Sequence, residues 1–161
     1  MQRRSVMQLA FATLGLGLTG TLVRAAGVRA AGDFPFALTD DEWRARLSPE
    51  AYAVLRDADT ERAGTSPLDA EKRSGMFHCA GCDQALYASA DKFDSGTGWP
   101  SFTKAVAGAT GTAPDPGLFG SRTEEHCSNC GGHLGHVFDD GPAPTGMRHC
   151  INGVALSFKA A

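Results

Sequence analysis

Two C-x-x-C units, separated by 44 residues, constrain the fold of this chain more than any other feature. The first unit is Cys79 with Cys82, and the second is Cys127 with Cys130, which two glycines follow. Zn²⁺ prefers four tetrahedral ligands, and thiolates suit it well. We therefore predict one structural four-cysteine zinc site that joins two distant segments. Two alternatives stay open: a C-x-x-C unit can be a redox dithiol, and an exported location would encourage two disulfides.

The first thirty residues have the pattern of a bacterial export signal. Arg3 and Arg4 give a basic start, and residues 9–23 carry no charge. This stretch is short for a membrane span, which needs about 20 apolar residues. Small-residue cleavage sites follow at residues 23–25 and 28–30. We predict a signal at 1–30, an exported, periplasmic domain at 33–161 and no stable membrane association after the signal is removed.

The paired arginines favour the twin-arginine export route over an ordinary signal, and an uncleaved anchor is the less favoured alternative. Twin-arginine export carries folded proteins, so a metal could be loaded in the reducing cytosol. From residue 31 onward the net charge is −7, against −3 for the whole chain. An acidic domain lacks the positive surface that binds phosphates, so we expect no nucleic-acid partner.

The remainder of the sequence predicts two short helices followed by a β-rich body. A capping box begins at Thr39, and a second helix start lies at Ser48 with Pro49 at the first helical position. Residues 57–69 are polar and predict a loop. From Gly75 onward, short apolar runs alternate with Gly, Pro, Asn and Asp, which is typical of small antiparallel sheets. Residues 150–158 are interpreted as the final strand.

The fifth cysteine, Cys150, remains once the two C-x-x-C units are filled. A lone cysteine is more often a small buried hydrophobe than a nucleophile. Here Arg148 and His149 precede it, and nearby cations can lower the pKa of a thiol. Neighbours along a strand point to opposite faces, whereas Asn152 shares the face of Cys150. Paired imidazoles at His133 and His136, together with a Gly-rich loop that contains Trp99, strengthen the nucleophile hypothesis.

Several long motifs occur in one order: FDSGTGWPSF at 93–102, RTE at 122–124, CSNC at 127–130, HLGHVFDDGP at 133–142 and RHCIN at 148–152. The chain thereby resembles the B-type peptide-methionine (R)-sulfoxide reductases, over residues 39–158. The resemblance implies a mainly β fold of two small antiparallel sheets with short helices at the N-terminal side. It also implies that the four cysteines of the C-x-x-C units bind one structural zinc ion.

The resemblance further implies the reaction and the residues that carry it. Cys150 would attack the R epimer of methionine sulfoxide in proteins or peptides, leaving methionine and a sulfenic acid. His133, His136 and Asn152 would position water and polarise the sulfoxide oxygen. The implied substrate-binding residues are Trp99, which packs against the S-methyl group, Arg148, which supports the thiolate side of the pocket, and Phe138.

The chain departs from the family pattern at three places. Many members carry a second, resolving cysteine where this chain has Thr97, so we predict that a small thiol or a thioredoxin-like protein reduces Cys150. Tyr is common at the position of His149, and a small polar pair commonly stands where this chain has Gly153 and Val154. Both changes affect the expected shape of the pocket.

Two rival functions fit part of the pattern. A zinc-ribbon binding module would use the two C-x-x-C units, but the acidic domain opposes it and Cys150 stays unexplained. A thiol–disulfide oxidoreductase would use one unit as its redox pair, but the sequence lacks the βαβ pattern of that class.

Overall fold

The computed structural model describes residues 32–117 and 120–161. Its α-helices begin where the sequence predicts them. Helix α1 spans Asp40–Arg46, and the Thr39 side chain and the Glu42 carboxylate form the reciprocal capping box. Helix α2 spans Pro49–Asp57, with Ser48 accepting the first cap hydrogen bond. Both predicted helix starts are confirmed.

Within the described part of the chain, nine strands form two antiparallel sheets, which confirms the predicted fold class. The smaller sheet has the order β2-β1-β9 and the larger has the order β3-β4-β8-β7-β6-β5. The strands are β1 Gly75–Cys79, β2 Ala85–Ala88, β3 Lys92–Phe93, β4 Ser101–Phe102, β5 Thr110–Gly117, β6 Gly120–Cys127, β7 His133–Phe138, β8 Arg148–Ile151 and β9 Leu156–Ala160.

The predicted final strand at 150–158 is wrong as a single element. It divides into β8 and β9, and a 3₁₀ turn at Gly153–Ala155 separates them. The two strands lie in different sheets, so the chain crosses from the larger to the smaller sheet directly after Asn152. The predicted loop at 57–69 starts one residue too early, because Asp57 is the last residue of α2. The rest is irregular until a 3₁₀ turn at Pro67–Ala70.

Aromatic side chains fill the space between the two sheets. The rings of Tyr87 and Phe102 stack with their centroids 4.3 Å apart, and Phe77 meets Phe102 edge-on at 5.0 Å. These three side chains are completely buried. Helix α2 contributes the buried Leu55 and packs against β7 and the 3₁₀ turn after β8. The core therefore holds β7 and the turn that directly follows the strand carrying Cys150.

None of the helices in the described ranges is long and apolar enough to cross a membrane. The predicted export signal at 1–30 lies outside the described residues.

Candidate active site

The two C-x-x-C turns bring their four sulfur atoms together. All four lie within 4.8 Å of one another, and two pairs join the different turns: Cys79 with Cys130 at 3.7 Å and Cys82 with Cys127 at 3.6 Å. Four sulfurs at tetrahedral positions, each about 2.3 Å from zinc, would be about 3.8 Å apart. The donor set therefore fits a tetrahedral metal ion. None of the five cysteines forms a disulfide, so the two-disulfide alternative is not observed.

The N-terminal helices pack over this cluster and join it to the core. The guanidinium of Arg56 in α2 donates to the carbonyl oxygen of Cys130 at 3.0 Å. Arg46, at the end of α1, donates to the carbonyl of Gly81 in the other turn. The indole of Trp43 also lies against Gly81. The cluster thus has a structural position, between the helices and the two sheets.

Cys150 lies in a row of side chains that crosses the larger sheet. In the strand register, Cys150 of β8 pairs with Ser101 of β4 on one side and with His136 of β7 on the other. His136 pairs in turn with Glu124 of β6. Residues paired directly across strands present their side chains on the same face. The sheet therefore places a thiol, an imidazole and a carboxylate in one line.

A cavity of about 150 Å³ opens in front of this row. The sequence-predicted residues Cys150, His136, Asn152, Trp99 and Phe138 line it, together with Thr60, Arg122 and Gly135. Five residues from three separated motifs therefore meet at one site.

Burial dominates the electrostatics of the Cys150 thiol. Desolvation raises the pKa of Cys150, while the positive charge of Arg148 and hydrogen bonds with Thr97, Arg148 and Ser101 lower it in part. The net direction is upward, so the neighbouring cations do not outweigh burial. His149 contributes nothing here because its ring turns to the opposite face and bonds to the buried carboxylate of Glu125 at 2.9 Å.

The two predicted histidines come together through an irregularity in β7. The register shifts between Glu125 and His126, which leaves Leu134 as the extra residue in β7. His133 and His136, three residues apart, therefore bring their ring centroids within 5.3 Å. A regular strand would turn them to opposite faces.

Each of these histidines has a carboxylate partner. Nδ1 of His133 lies 2.8 Å from a carboxylate oxygen of Glu124, and both side chains are almost fully buried. Nε2 of His136 lies 2.8 Å from Asp115, which also accepts from Arg122. Burial lowers the pKa of His136, and the Asp115 hydrogen bond opposes that shift. The net direction is downward, which favours the neutral form of the imidazole at the cavity wall.

Asn152 and Arg148 are held more firmly than the sequence suggests. The Asn152 amide donates to the carbonyl of Leu134 at 2.9 Å and accepts from the backbone N–H of Glu61 at 3.0 Å. Arg148 makes a two-pronged ion pair with Asp140, each contact 2.8 Å long, and lies over the ring of Phe138. Arg148 thus lies beside the cavity rather than in its lining.

Comparison with known proteins gives the family. The SelR domain matches residues 47–160. The chain is 49% identical over 122 residues to the peptide methionine sulfoxide reductase MsrB of Methanosarcina barkeri, a match of 75% of this chain and 86% of that protein. It is 52% identical over 121 residues to MsrB of Thiobacillus denitrificans, covering 74% and 92% of the two chains. This chain belongs to the MsrB family. Peptide methionine sulfoxide reductase B5 of Arabidopsis thaliana is 49% identical over 125 residues, covering 76% and 88%.

Sequence motifs of the MsrB family mark one side of this cavity and leave the other unmarked. Thr60 and Arg122 line the cavity and Asp115 contacts His136, yet no sequence motif marks Thr60 or Asp115 as functional. Arg122 and Glu124 lie within the RTE motif, but the motif alone assigns no role to either residue. Asp115, Arg122 and Glu124 approach the histidines only because β5, β6 and β7 pair in one particular register. The sequence pattern does not predict that register.

Proposed function

We propose that this MsrB-family chain is a peptide-methionine (R)-S-oxide reductase, with Cys150 as its nucleophile. The observation that carries the proposal is the cavity itself, where a half-buried thiol faces an imidazole and an indole. The two rival functions, a zinc-ribbon binding module and a C-x-x-C oxidoreductase, leave that cavity without a role.

In the proposed reaction, the Cys150 sulfur attacks the sulfoxide sulfur while the sulfoxide oxygen takes up protons. The oxygen is then transferred to Cys150, which becomes a sulfenic acid, and the substrate becomes the thioether of methionine. Cys150 is oxidised by two electrons and the sulfoxide is reduced by two. Arg148 supports the thiolate form that attacks.

His136 is proposed to position the water that delivers a proton to the sulfoxide oxygen, because it lies directly opposite Cys150 across the β7–β8 pair. Its Nε2 donates to Asp115, which leaves Nδ1 free to accept from that water. His133 supports it from the buried side, where Glu124 fixes the ring. Asn152 completes the polar wall of the cavity. Imidazoles can exchange protons near neutral pH, either directly or through water.

Trp99 and Phe138 form the proposed apolar wall for the S-methyl group. The methyl, oxygen and sulfur of the substrate would then each meet a different surface. A site of this kind accepts one epimer at sulfur and excludes the other, and family membership supports the R epimer.

We propose an external thiol as the reductant, either a small thiol or a thioredoxin-like protein. Two such thiols return the sulfenic acid to Cys150 thiol and leave one disulfide and one water. The metal is proposed to be zinc, one structural ion bound by Cys79, Cys82, Cys127 and Cys130. That ion would join the two turns and would take no part in the transfer of oxygen.

The proposed location is the periplasm or another exported compartment, reached through a twin-arginine signal at 1–30, with the catalytic domain at 33–161. The support is Arg3-Arg4, the short uncharged segment and the small-residue cleavage sites. Oxidised proteins and peptides are the proposed substrates there.

The test is reduction of a dabsyl-labelled methionine sulfoxide of known configuration, with a dithiol as reductant. The wild type should reduce the R epimer and spare the S epimer, and Cys150→Ser should be inactive at an unchanged melting temperature. Equal turnover by Cys150→Ser, or reduction of the S epimer alone, would overturn the proposal.

A further inference from the structure

A loop that no sequence motif marked passes along one side of the cavity. Residues 61–66, which we call the strap, are the second part of the segment 58–66 that connects helix α2 to the first 3₁₀ turn. The carbonyl oxygen of Glu61 accepts from the indole Nε1 of Trp99 at 3.1 Å. The backbone N–H of the same residue donates to the side-chain oxygen of Asn152 at 3.0 Å. One residue therefore contacts two side chains on the cavity wall.

The carboxylate of Glu61 fixes this backbone in place. It accepts from the N–H groups of Gly153 and Val154, the first two residues of the 3₁₀ turn that follows Asn152. The carboxylate is half-buried, and burial raises the pKa of Glu61 while the two N–H donors lower it. Two free N–H groups at the start of a turn are suited to a carboxylate acceptor.

Two glycines allow the strap to approach this closely. The N–H of Gly64 donates to the carbonyl of Gly98, the residue before Trp99, at 2.7 Å. A Cβ at Gly98 would lie 2.8 Å from the Gly64 nitrogen, and a Cβ at Gly153 would clash with the hydroxyl of Ser66. The strap thus rests on the turn before Trp99 and on the turn after Asn152. This contact gives the unusual glycine at 153 a physical reason.

We propose that Glu61 is the positioning residue that sets the separation of Trp99 and Asn152, and thereby the fit of the methionine sulfoxide side chain. It acts through the two side chains it holds and does not itself contact the reacting atoms. The proposal rests on the proposed function of this cavity. The neighbouring Thr60 lines the cavity, so a displaced strap would also move part of the wall.

The experiment compares Glu61→Ala, Glu61→Gln and a matched control, Glu50→Gln, which changes an exposed glutamate on α2. Single-turnover reduction is measured without reductant over a range of sulfoxide concentrations, so that recycling of Cys150 does not enter. The half-saturating concentration should rise roughly tenfold in Glu61→Ala, as expected for a lost charge-assisted contact. Glu61→Gln keeps an acceptor and should lie between Glu61→Ala and the wild type. The limiting rate should fall by a smaller factor.

Acrylamide quenching of tryptophan fluorescence gives a second measurement. The other tryptophan, Trp43, is 3% exposed, so quenching reports mainly on Trp99. Quenching should increase in Glu61→Ala and remain at the wild-type value in Glu50→Gln. Gly153→Ala places a methyl group against Ser66 of the strap and should weaken sulfoxide binding in the same way. This variant provides the test if Glu61→Ala does not fold.

The outcomes separate two failures. If the wild type reduces no methionine sulfoxide, the proposed function is wrong. If the wild type is active but Glu61→Ala and Gly153→Ala keep its half-saturating concentration and its quenching, the positioning role is overturned. The positioning role is also overturned if these variants lose activity only because their melting temperature falls, while the folded protein keeps the wild-type affinity for the sulfoxide.

Discussion

The hydroxyl oxygen of Thr97 lies 4.0 Å from the sulfur of Cys150. Thr97 occupies the position where many relatives are expected to carry a resolving cysteine, and the four remaining cysteines are gathered in the four-cysteine cluster. An internal disulfide with Cys150 is therefore not expected in this chain.

Oxidation of Cys150 should accordingly stop at the sulfenic acid when reductant is withheld. Mass spectrometry after one turnover should find one added oxygen on the Cys150 peptide, or its adduct with a sulfenic-acid trap. Thr97→Cys should instead yield an intramolecular disulfide, because a small shift brings the two sulfurs to the bonding distance of about 2.05 Å. A disulfide between Cys150 and a cluster cysteine in the wild type would contradict the prediction.

Alkylation of Cys150 should depend on pH in a direction set by burial. Because desolvation raises its pKa, the thiol is the dominant form at neutral pH in the resting protein. The rate with iodoacetamide follows the thiolate fraction, so it should keep rising with pH beyond the ordinary range of a cysteine. Arg148→Gln removes the charge that lowers the pKa and should move the curve to still higher pH.

Cys150→Ser, measured in parallel, reports any background reaction of the cluster cysteines. A rate that already levels off near neutral pH would show that Arg148 outweighs burial.

Much of this fold could be predicted because its signals are local. The capping box at Thr39 and the Ser48-Pro49 start each fix a helix within a few residues. The long hairpin of β5 and β6 was not predicted, because Pro114 and Pro116 interrupt any strand pattern. Both prolines are tolerated because β5 is the edge of its sheet.

The site was predictable only where a motif carries the residue. Cys150, Trp99 and His136 stand in long recognisable runs and do line one cavity. Glu61 and Asp115 reach the site only through contacts between segments far apart in the chain. Glu61 and Asn152, for example, are separated by 91 residues. No local pattern encodes such a contact, so the strap and the carboxylate partner of His136 become visible only in the folded chain.

Removal of the metal should destabilise the domain far more than it alters the chemistry. The apparent binding free energy of structural zinc is on the order of 10 kcal/mol, comparable to the whole stability of a domain. Elemental analysis should find one zinc per chain, and a chelator or Cys79→Ser should lower the melting temperature strongly. The zinc assignment would be wrong if Cys79→Ser kept full stability but lost activity.

The buried pair of Glu124 and His133 should control the rate of oxygen transfer through the orientation of the imidazole. A carboxylate only accepts hydrogen bonds, so the 2.8 Å contact places the proton on Nδ1 of His133 and leaves Nε2 as the free nitrogen. Glu124→Gln allows the opposite tautomer, which turns Nε2 from an acceptor into a donor. The single-turnover rate should then fall about tenfold, in line with the loss typical of a disturbed proton-transfer group.

The neighbouring buried pair of Glu125 and His149 provides a matched control on the other face of the sheet. Glu125→Gln should lower stability by a similar amount, roughly 1 to 3 kcal/mol for a disturbed buried hydrogen bond. Its single-turnover rate should stay near the wild-type value, because His149 turns away from the cavity. Equal rate losses in the two variants would mean that both act through stability alone, and the orienting role of Glu124 would then be rejected.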